Sequence, residues 1–297
     1  MDDSAKVPPD VPDRETQLVH DVYASMLGRL PEPAGLSHWR AVIRGQGLEA
    51  FVRGVAESAE YQGRCLARDH ERTLRNTLID ACRLELASDR LTIVDVGAQW
   101  LSHEGHVYEP LMAAFACDVV AFEPLPDKAH GFEQYSARHR VVRLAECVAD
   151  GNQRTLYINA DDATSSLLRP DPQTVDLLVG LENVRVLETR SLPTATLDSA
   201  LSSLGDVAFL KLDVQGCELE VLRHASRVLE RTAAIHIEVG MVPIYEGQPV
   251  FSEVERHLSS AGFRFVDWVH ECRYPVRNAR GAGSRDWLGW GDALFLR

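Results

Sequence analysis

Acidic side chains stand directly after runs of apolar residues at several places in this sequence. Asp95 and Gly97 close one run, and Glu123 closes the next run, 26 residues after Gly97. If these runs are parallel strands, their carboxyl ends meet in the crevice where α/β sheets bind ligands, and an acid after the second strand can accept hydrogen bonds from ribose hydroxyls. Taken alone, Asp95 and Gly97 are equally typical of an ordinary strand end. Together with Glu123 they predict a nucleoside site.

The turn after Gly97 lacks the glycines of a pyrophosphate-binding loop. The G-x-G-x-x-G pattern requires glycine at positions 99 and 102, where this chain has Gln99 and Ser102. An acid for the ribose without a phosphate loop favours a nucleoside that has no phosphates. S-adenosylmethionine (SAM) fits this description, and its cationic sulfonium suits an acidic cleft. A nucleotide-sugar oxidoreductase on a Rossmann sheet is a second interpretation, which the missing glycine disfavours.

The elements that must position these residues follow the order of a doubly wound α/β sheet. From residue 91 onward, short apolar runs alternate with segments of helical periodicity. The predicted strands are 91–97, 118–123, 141–148, 208–213, 234–239, 263–268 and 293–296. The predicted helices are 107–116, 126–139, 217–229 and 251–261. Residues 151–206 are less regular, with extended pieces at 155–159 and 184–189.

The part of the chain before residue 90 has a helical pattern instead. Residues 1–14 are predicted to be a proline-rich leader with little reason to fold. Residues 15–65 are predicted to form a small bundle of three helices, because apolar residues such as Val19, Val22 and Met26 recur on one face. Residues 66–89 contain a predicted linking helix. The α/β domain is predicted to cover residues 90–297.

Composition disfavours several classes of protein. The 297 residues carry a formal net charge of −13, whereas nucleic acid is bound by clustered cations. No apolar run approaches ~20 residues, the length that a membrane helix needs, and the N-terminus lacks the apolar region of a signal peptide. The six cysteines include no C-x-x-C pair, which disfavours a zinc site and is typical of free thiols in a reducing compartment. We expect a cytoplasmic protein.

Four stretches of the α/β part recur, in the same order, in a known family. They are 93–98 (IVDVGA), 121–124 (AFEP), 196–198 (TLD) and 210–218 (LKLDVQGCE). Over about residues 90–297 the chain resembles the FkbM-type family of SAM-dependent methyltransferases. The resemblance implies a seven-stranded class I methyltransferase sheet with an antiparallel last strand. It also implies methyl transfer from SAM, most often to a hydroxyl of a sugar or polyketide and less often to a side-chain nitrogen of a modified peptide.

Residue roles carry over where the motif positions match. Glu123 matches the acid for the ribose, and Asp213 with Glu218 matches the acids of the fourth-strand motif. The predicted cofactor residues are Asp95, Gly97, Ala98, Gln99, Glu123, Pro124, Glu146, Cys147 and Asp213. The chain departs from the family pattern in a longer and more aromatic first loop, and at Gln215, where the family usually has glutamate.

Methyl transfer is an in-line displacement, so alignment is its main requirement, and an aliphatic hydroxyl also needs a positioned base. The candidate catalytic residues are Asp213, Glu238 and His236. Glu238 and His236 share one face of a strand because strand side chains alternate, although an ordinary buried histidine is the alternative for His236. The predicted substrate contacts are His103, His106, Glu218 and, from a Ser-Ser-Leu stretch that resembles one in the family, Ser165 and Ser166. We expect no metal, although carboxylates suit hard cations.

Residues 15–65 resemble a small bacterial helical domain of unknown function that is often attached to glycan-handling or surface-associated proteins. The shared residues are Leu27, Gly28, Arg29, Pro31, Gly35, Leu36 and Trp39. This resemblance predicts docking to a protein partner or a glycan.

For the whole chain we predict O-methylation of a hydroxyl on a sugar, glycan or natural product. The alternatives are N-methylation of a peptide side chain, the oxidoreductase, and a catalytically silent adaptor; a homodimer is an open alternative for the oligomeric state.

Overall fold

The structure is a computed structural model that describes residues 13–27, 30–61, 63, 90–99, 105–125, 138–277 and 286–297. The chain divides into two compact units, Met1–Thr73 and Leu74–Arg297. The predicted linking helix over residues 66–89 lies outside the described residues, as do almost all of the leader and of the helix predicted over 126–139. None of the described helices is long and apolar enough to cross a membrane.

The described residues of the first unit include three helices. They are α1 (Arg14–Leu27), α2 (Pro33–Gln46) and α3 (Leu48–Ala56). Val19, Phe51 and Val55 are buried where the helices meet. The indole Nε1 of Trp39 donates a 2.7 Å hydrogen bond to the hydroxyl of Tyr23. The unit therefore has its own apolar core.

A seven-stranded sheet forms the centre of the second unit. The described strands, in chain order, are β1 (Arg90–Val96), β2 (Ala116–Phe122), β3 (Arg140–Leu144), β4 (Cys147–Val148), β5 (Gln153–Asn159), β6 (Val186–Ala195), β7 (Val207–Leu212), β8 (Thr232–Gly240), β9 (Arg264–Tyr274) and β10 (Trp287–Leu296). The main sheet has the order β3-β2-β1-β7-β8-β10-β9. Neighbours from β3 to β8 are parallel, and β10 is antiparallel to both β8 and β9. This arrangement confirms the predicted class I methyltransferase sheet.

Described helices pack against both faces of this sheet. The described helices of the second unit are α4 (Glu109–Ala114), α5 (Pro172–Leu177), α6 (Leu197–Ala200), α7 (Glu218–Arg223), α8 (Ser226–Glu230) and α9 (Phe251–Ser260). Because strand side chains alternate, β1 sends Val94 into one apolar cluster and Ile93 into the other. The first cluster includes Leu222 and Leu258 from the helices, and the second includes Leu111. Coverage on both faces explains why the central strands are continuous apolar runs.

Several predicted elements are wrong in extent. The predicted strand 141–148 divides into β3, in the main sheet, and β4, which pairs with β6 in a second sheet of order β4-β6-β5. The predicted helix 217–229 divides into α7 and α8. The carboxylate of Asp198 accepts hydrogen bonds from the N–H groups of Arg227 (3.1 Å) and Val228 (2.9 Å), which stabilises the separate start of α8. Strands β6, β9 and β10 are all longer than predicted.

Candidate active site

The turn after β1 brings three strand ends together. The N–H groups of Gly97 and Ala98 both donate to the carbonyl oxygen of Phe122, at 3.1 and 3.0 Å. The N–H of Asp213 donates to the carbonyl oxygen of Val96 at 3.0 Å. Gly97 has φ of +84°, and a Cβ built on it would lie 1.8 Å from the carbonyl oxygen of Asp213. A residue without a side chain is therefore required for β1 and β7 to end this close to each other.

Glu123 follows β2 beside this turn, and it is only 5% exposed. Its N–H donates to the carbonyl oxygen of Leu144 at 3.0 Å, and its Oε1 accepts a 2.8 Å hydrogen bond from the N–H of Leu125. Burial raises the pKa of Glu123 to about 7, because that effect exceeds the lowering by the Leu125 hydrogen bond. A ligand that donates hydroxyl groups to this carboxylate would favour its charged form.

A cavity of about 220 Å³ lies over these strand ends. Predicted site residues that line this cavity are Gly97, Gln99, His106, Glu123, Pro124, Glu146, Cys147, Ser165, Ser166, Asp213 and His236. Apolar surface comes from Val96, Phe122, Leu125, Val148, Leu156 and Leu167. Burial raises the pKa of the Cys147 thiol to about 12, so this lining residue is neutral. The structure thus brings most of the predicted site residues into one cavity, with both polar and apolar surface.

Asp95 and Ala98, two predicted cofactor residues, are not part of this lining. Asp95 is fully buried, and its Oδ2 accepts a 2.9 Å hydrogen bond from the hydroxyl of Tyr108. The ring of His106 stacks on Tyr108, with 4.9 Å between centroids, and its Nδ1 lies 3.7 Å from Oδ2 of Asp95. Burial lowers the pKa of His106. The predicted substrate residue His103 lies outside the described residues.

Replacing Tyr108 with phenylalanine is expected to lower the free energy of unfolding by about 1–2 kcal/mol, because Oδ2 of Asp95 would lose its hydroxyl donor while staying buried. Urea denaturation measures this loss. Tyr157→Phe is the matched control, since its hydroxyl makes no hydrogen bond to the described residues, and it should leave stability almost unchanged. Equal stabilities of the two variants would show that the Tyr108 hydroxyl does not stabilise the Asp95 carboxylate.

Lys211, which was not predicted, is the one lysine or arginine among the described residues that line the cavity. Its Nζ donates a 2.6 Å hydrogen bond to the carbonyl oxygen of Gly97 and lies 3.3 Å from Oδ1 of Asp95 and 3.4 Å from Oδ2 of Asp213. Burial opposes the charged form of Lys211, but the two carboxylates together raise its pKa above the usual value. In the sequence, Lys211 stands alone inside an apolar run. This pattern could have identified it as a site residue, since a buried lysine requires a partner.

Asp213, Glu218 and Glu238 offer carboxylate oxygens that all lie within 4.8 Å of one another. Oε1 of Glu218 accepts hydrogen bonds from the N–H groups of Val214 (2.9 Å) and of residue 216 (3.1 Å), so this predicted substrate residue holds the turn rather than lining the cavity. Nε2 of Gln215 donates to Oδ1 of Asp213 at 2.7 Å and to Oε1 of Glu238 at 3.1 Å. The amide of Gln215 therefore bridges two carboxylates that would otherwise repel each other.

The segment between β5 and β6 forms another side of the cavity. The hydroxyl of Ser166 donates a 2.6 Å hydrogen bond to the carbonyl oxygen of Gln215, and Ser165 lies beside it in the lining. Nε2 of Gln99 donates a 2.7 Å hydrogen bond to Oδ1 of Asp162. Asp162 also lines the cavity and was missed, because nothing in this irregular stretch predicts which residues approach the sheet.

His236 and Asp292 line the part of the cavity that is farther from Glu123, because β8 and β10 are separated from β2 by β1 and β7 in the sheet. His236, on β8, is 4% exposed, and its Nδ1 has no hydrogen-bond partner among the described residues. Burial lowers its pKa to about 4. Glu238 is not in the lining, and burial together with its neighbours Asp213 and Asp292 raises its pKa well above the usual value. Asp292, on β10, was not predicted as a site residue, although an aspartate inside an apolar terminal strand can indicate one.

The site suits SAM as a cofactor. The carboxylate of Glu123 can accept hydrogen bonds from a ribose diol, and the apolar lining can contact an adenine ring. Acidic side chains such as Asp213 suit a ligand that carries a sulfonium and an ammonium group. The fold and the site together define a SAM-dependent methyltransferase of class I.

Residues 95–265, more than half of the chain, match the methyltransferase FkbM domain. The chain therefore belongs to the FkbM methyltransferase family. This match confirms the resemblance seen in the sequence motifs and the prediction of SAM as cofactor, and it replaces the oxidoreductase interpretation. No curated protein matches the chain.

Of three solved structures that are similar to the chain at low sequence identity, two are named as methyltransferases. Precorrin-6y C5,15-methyltransferase from Geobacter metallireducens GS-15 is 11% identical, with a TM-score of 0.38, over 76% of this chain and 89% of that one. The 1,6-didemethyltoxoflavin-N1-methyltransferase of Burkholderia thailandensis is 15% identical, with a TM-score of 0.31, over 91% and 92%. A duf574 family protein from Streptomyces avermitilis MA-4680 is 13% identical, with a TM-score of 0.36, over 95% and 99%. The order and directions of the strands, rather than these similarities, carry the fold assignment.

Proposed function

We propose that this protein transfers the methyl group of SAM to a hydroxyl of a sugar, a glycan, or a glycosylated or polyketide natural product. The observation that carries the proposal is the buried Glu123 beside the Gly97 turn, in a cavity that also contains the polar side chains of Asp213, His236 and Asp292. Membership of the FkbM family supports methyl transfer. The polar surface around His236 supports a hydroxylated acceptor.

The residues of the nucleoside end would hold the cofactor. Glu123 would accept hydrogen bonds from the ribose hydroxyls, and the apolar lining would contact the base. The other residues proposed to contact the cofactor are Gly97, Gln99, Pro124, Glu146, Cys147 and Asp213. When bound, SAM supplies a methyl group on a positively charged sulfur, which a nucleophile takes up in one displacement. The task of the chain is then to align the acceptor oxygen and to receive its proton.

Among the three predicted catalytic residues, His236 is best placed to receive that proton. Burial keeps its imidazole neutral at neutral pH, and the ring lines the cavity. Asp213 also lines the cavity, but its carboxylate oxygens are already engaged, since Oδ1 accepts a hydrogen bond from Gln215 and Oδ2 lies 3.4 Å from Nζ of Lys211. Glu238 is not part of the lining. We therefore assign the acceptance of the hydroxyl proton to His236.

N-methylation of an amine is the second candidate, because the carboxylates of the lining can hold an ammonium group. Incubation with isotope-labelled SAM and a panel of glycosides, amino sugars and peptides tests both candidates. A product with the label on oxygen supports the proposed function, and a label on nitrogen supports the second candidate. Saturable SAM binding without turnover on any acceptor would favour the catalytically silent adaptor.

Replacing Glu123 with alanine is expected to weaken binding of S-adenosylhomocysteine by at least about 100-fold, because each of the two ribose hydroxyls loses a charge-assisted hydrogen bond of about 1.5–3 kcal/mol. Isothermal titration calorimetry measures this change. Glu230→Ala, at the exposed end of α8, is the control and should bind like the wild type. Unchanged affinity in a folded Glu123→Ala variant would remove Glu123 from the cofactor site.

The raised pKa of Glu123 gives the same binding reaction a pH dependence. Its pKa is about 7 in the folded protein and 4.5 ordinarily, so stability from this group is lost as the pH rises through that window. A ribose that binds the charged carboxylate offsets this loss. Below pH 7 the carboxyl group of Glu123 carries a proton, and binding of the ribose must displace that proton. Affinity of the wild type should therefore fall as the pH decreases through about 7, and Glu123→Ala should lack this dependence.

For residues 15–65 we propose the docking role that the sequence predicts. A small helical unit with its own core can bind a glycan or a protein partner without taking part in chemistry. Comparing the Michaelis constants of the full chain for an oligosaccharide and for its reactive monosaccharide tests this role, since docking would lower only the first.

A further inference from the structure

Gln215, in the turn after β7, has a backbone conformation that a side chain disfavours. Its φ is +54°, and it is the one residue other than glycine with a positive φ in the part of the chain that the structure describes. Glycine adopts this left-handed region without the steric cost that a Cβ brings. Strained positions of this kind are common at functional sites, where the surrounding structure holds them in place. The contacts that hold Gln215 in this conformation therefore point to its role.

The side-chain amide of Gln215 has partners on both of its polar atoms. Its Nε2 donates to Oδ1 of Asp213 at 2.7 Å and to Oε1 of Glu238 at 3.1 Å. The hydroxyl of Tyr245 is a shared donor on the other side, since its oxygen lies 3.2 Å from Oε1 of the amide and 2.7 Å from the carbonyl oxygen of Thr164. These partners favour one orientation of the amide, because the reverse orientation would set its oxygen against two acidic groups.

The carboxylate of Asp213 is held from two sides. Oδ1 accepts the hydrogen bond from Gln215, and Oδ2 lies 3.4 Å from Nζ of Lys211. The side chain of Asp213 is 35% exposed and lines the cavity. Donors on different oxygens oppose rotation of the carboxylate about its Cβ–Cγ bond. Each oxygen still has a further lone pair, so the held carboxylate can also accept a hydrogen bond from a ligand.

The main chain of Gln215 is attached to the segment between β5 and β6. Its carbonyl oxygen accepts a 2.6 Å hydrogen bond from the hydroxyl of Ser166, which is fully buried. The main chain of Ser166 pairs with Tyr157 on β5 through hydrogen bonds of 2.8 and 3.1 Å. Tyr245 reaches the same segment at Thr164. Main chain and side chain of Gln215 are therefore both tied to this segment, and the amide keeps its position relative to the cavity that the segment lines.

We propose that Gln215 is a positioning residue for the cofactor. By holding Oδ1 of Asp213, its amide keeps this carboxylate directed into the cavity, where it accepts a charge-assisted hydrogen bond from the ammonium group of SAM. Without the amide, no donor separates the acidic groups of Asp213 and Glu238, and Asp213 turns away from its neighbour. The inference rests on the proposed function, which assigns Asp213 to the cofactor, and it adds the residue through which that contact is kept in place.

Two substitutions of Gln215 separate positioning from a purely structural role. Gln215→Met keeps the length of the side chain and the disfavoured φ, whereas Gln215→Gly removes the strain, and both lack the amide. We expect both variants to bind S-adenosylhomocysteine about tenfold more weakly than the wild type in calorimetry. Urea denaturation should find the glycine variant more stable than the methionine variant. An affinity that follows stability, with the glycine variant close to the wild type, would overturn the inference.

A double-mutant cycle tests whether Gln215 acts through Asp213. Asp213→Ala should itself weaken binding of S-adenosylhomocysteine by about tenfold or more, and adding Gln215→Met to this variant should change the affinity by less than about twofold. Losses that multiply in the double variant would show that the amide acts independently of Asp213, which overturns the inference. Gln173→Met, at an exposed position on α5, is the matched control and should bind like the wild type.

The same titrations distinguish this inference from the proposed function. Wild-type affinity in the Asp213→Ala variant would overturn the positioning role and leave Glu123 as a cofactor residue. A wild-type chain that does not bind S-adenosylhomocysteine would overturn the proposed function, and the inference would fall with it.

Discussion

Replacing Gly97 with alanine is expected to abolish detectable SAM binding and to lower the free energy of unfolding by more than about 4 kcal/mol. The new Cβ would stand 1.8 Å from the carbonyl oxygen of Asp213, and that oxygen belongs to backbone that cannot rotate away like a side chain. The φ of +84° adds a further cost for any residue with a Cβ. Relief requires the ends of β1 and β7 to separate, which breaks the 3.0 Å hydrogen bond from the N–H of Asp213 to Val96.

Denaturant titration and calorimetry with S-adenosylhomocysteine measure the two effects separately. Gly205→Ala is the matched control, since a Cβ at that position meets no atom within 4 Å. This control should change stability by less than about 0.5 kcal/mol and leave cofactor affinity unchanged. A Gly97→Ala protein with wild-type affinity would mean that the turn can move aside, and that the close approach of β1 and β7 is not needed for binding.

The parallel core of the fold could be predicted because local sequence determines it. A strand covered on both faces is a continuous apolar run, and β1, β2, β7 and β8 all have that pattern. The ends of such runs identify ligand-binding residues directly, since parallel strands end at one edge. Gly97 and Glu123 were found in this way, and the structure places both in the cavity.

Residues that reach the cavity through long-range pairing could not be predicted in the same way. Asp292 lies there because β10 inserts antiparallel between β8 and β9, a register that local periodicity does not contain. Asp162 lies there because the irregular segment before β6 returns to the sheet, where Gln99 bonds its carboxylate. The role of Gln215 as a bridge between Asp213 and Glu238 likewise depends on the distance between two strands.

Element boundaries were missed for a different physical reason. The break between α7 and α8 leaves Leu222 and Leu229 facing the same apolar cluster, so the periodicity shows no interruption. The hydrogen bonds that start α8 come from Asp198, about thirty residues earlier in the chain. A capping group so distant in sequence cannot be recognised from the spacing of apolar residues alone.

Replacing His236 with glutamine is expected to lower kcat for methyl transfer by about 10²–10⁴-fold, the usual contribution of a general base, without a change in the affinity for SAM. Glutamine keeps a polar group at this buried position on β8 but cannot accept the proton. His224→Gln, at the exposed end of α7, is the matched control and should keep the wild-type kcat. Loss of SAM affinity together with kcat would instead indicate a structural role for His236.

The pH profile distinguishes this base from the carboxylates around it. Burial lowers the pKa of His236 from 6.5 to about 4. The stability that depends on the neutral imidazole is therefore fully present above pH 6.5 and is lost only as the pH falls from 6.5 to about 4. With SAM saturating, kcat should therefore stay level as the pH falls from about 8 to about 5, where an exposed histidine would already be half protonated near 6.5. At low SAM concentration the rate should fall below pH 7, because Glu123 then carries a proton in the free enzyme. If Asp213→Asn removed turnover while His236→Gln kept it, the acceptor proton would pass to Asp213 instead of His236. The profiles at saturating and at low SAM concentration would then no longer separate chemistry from binding.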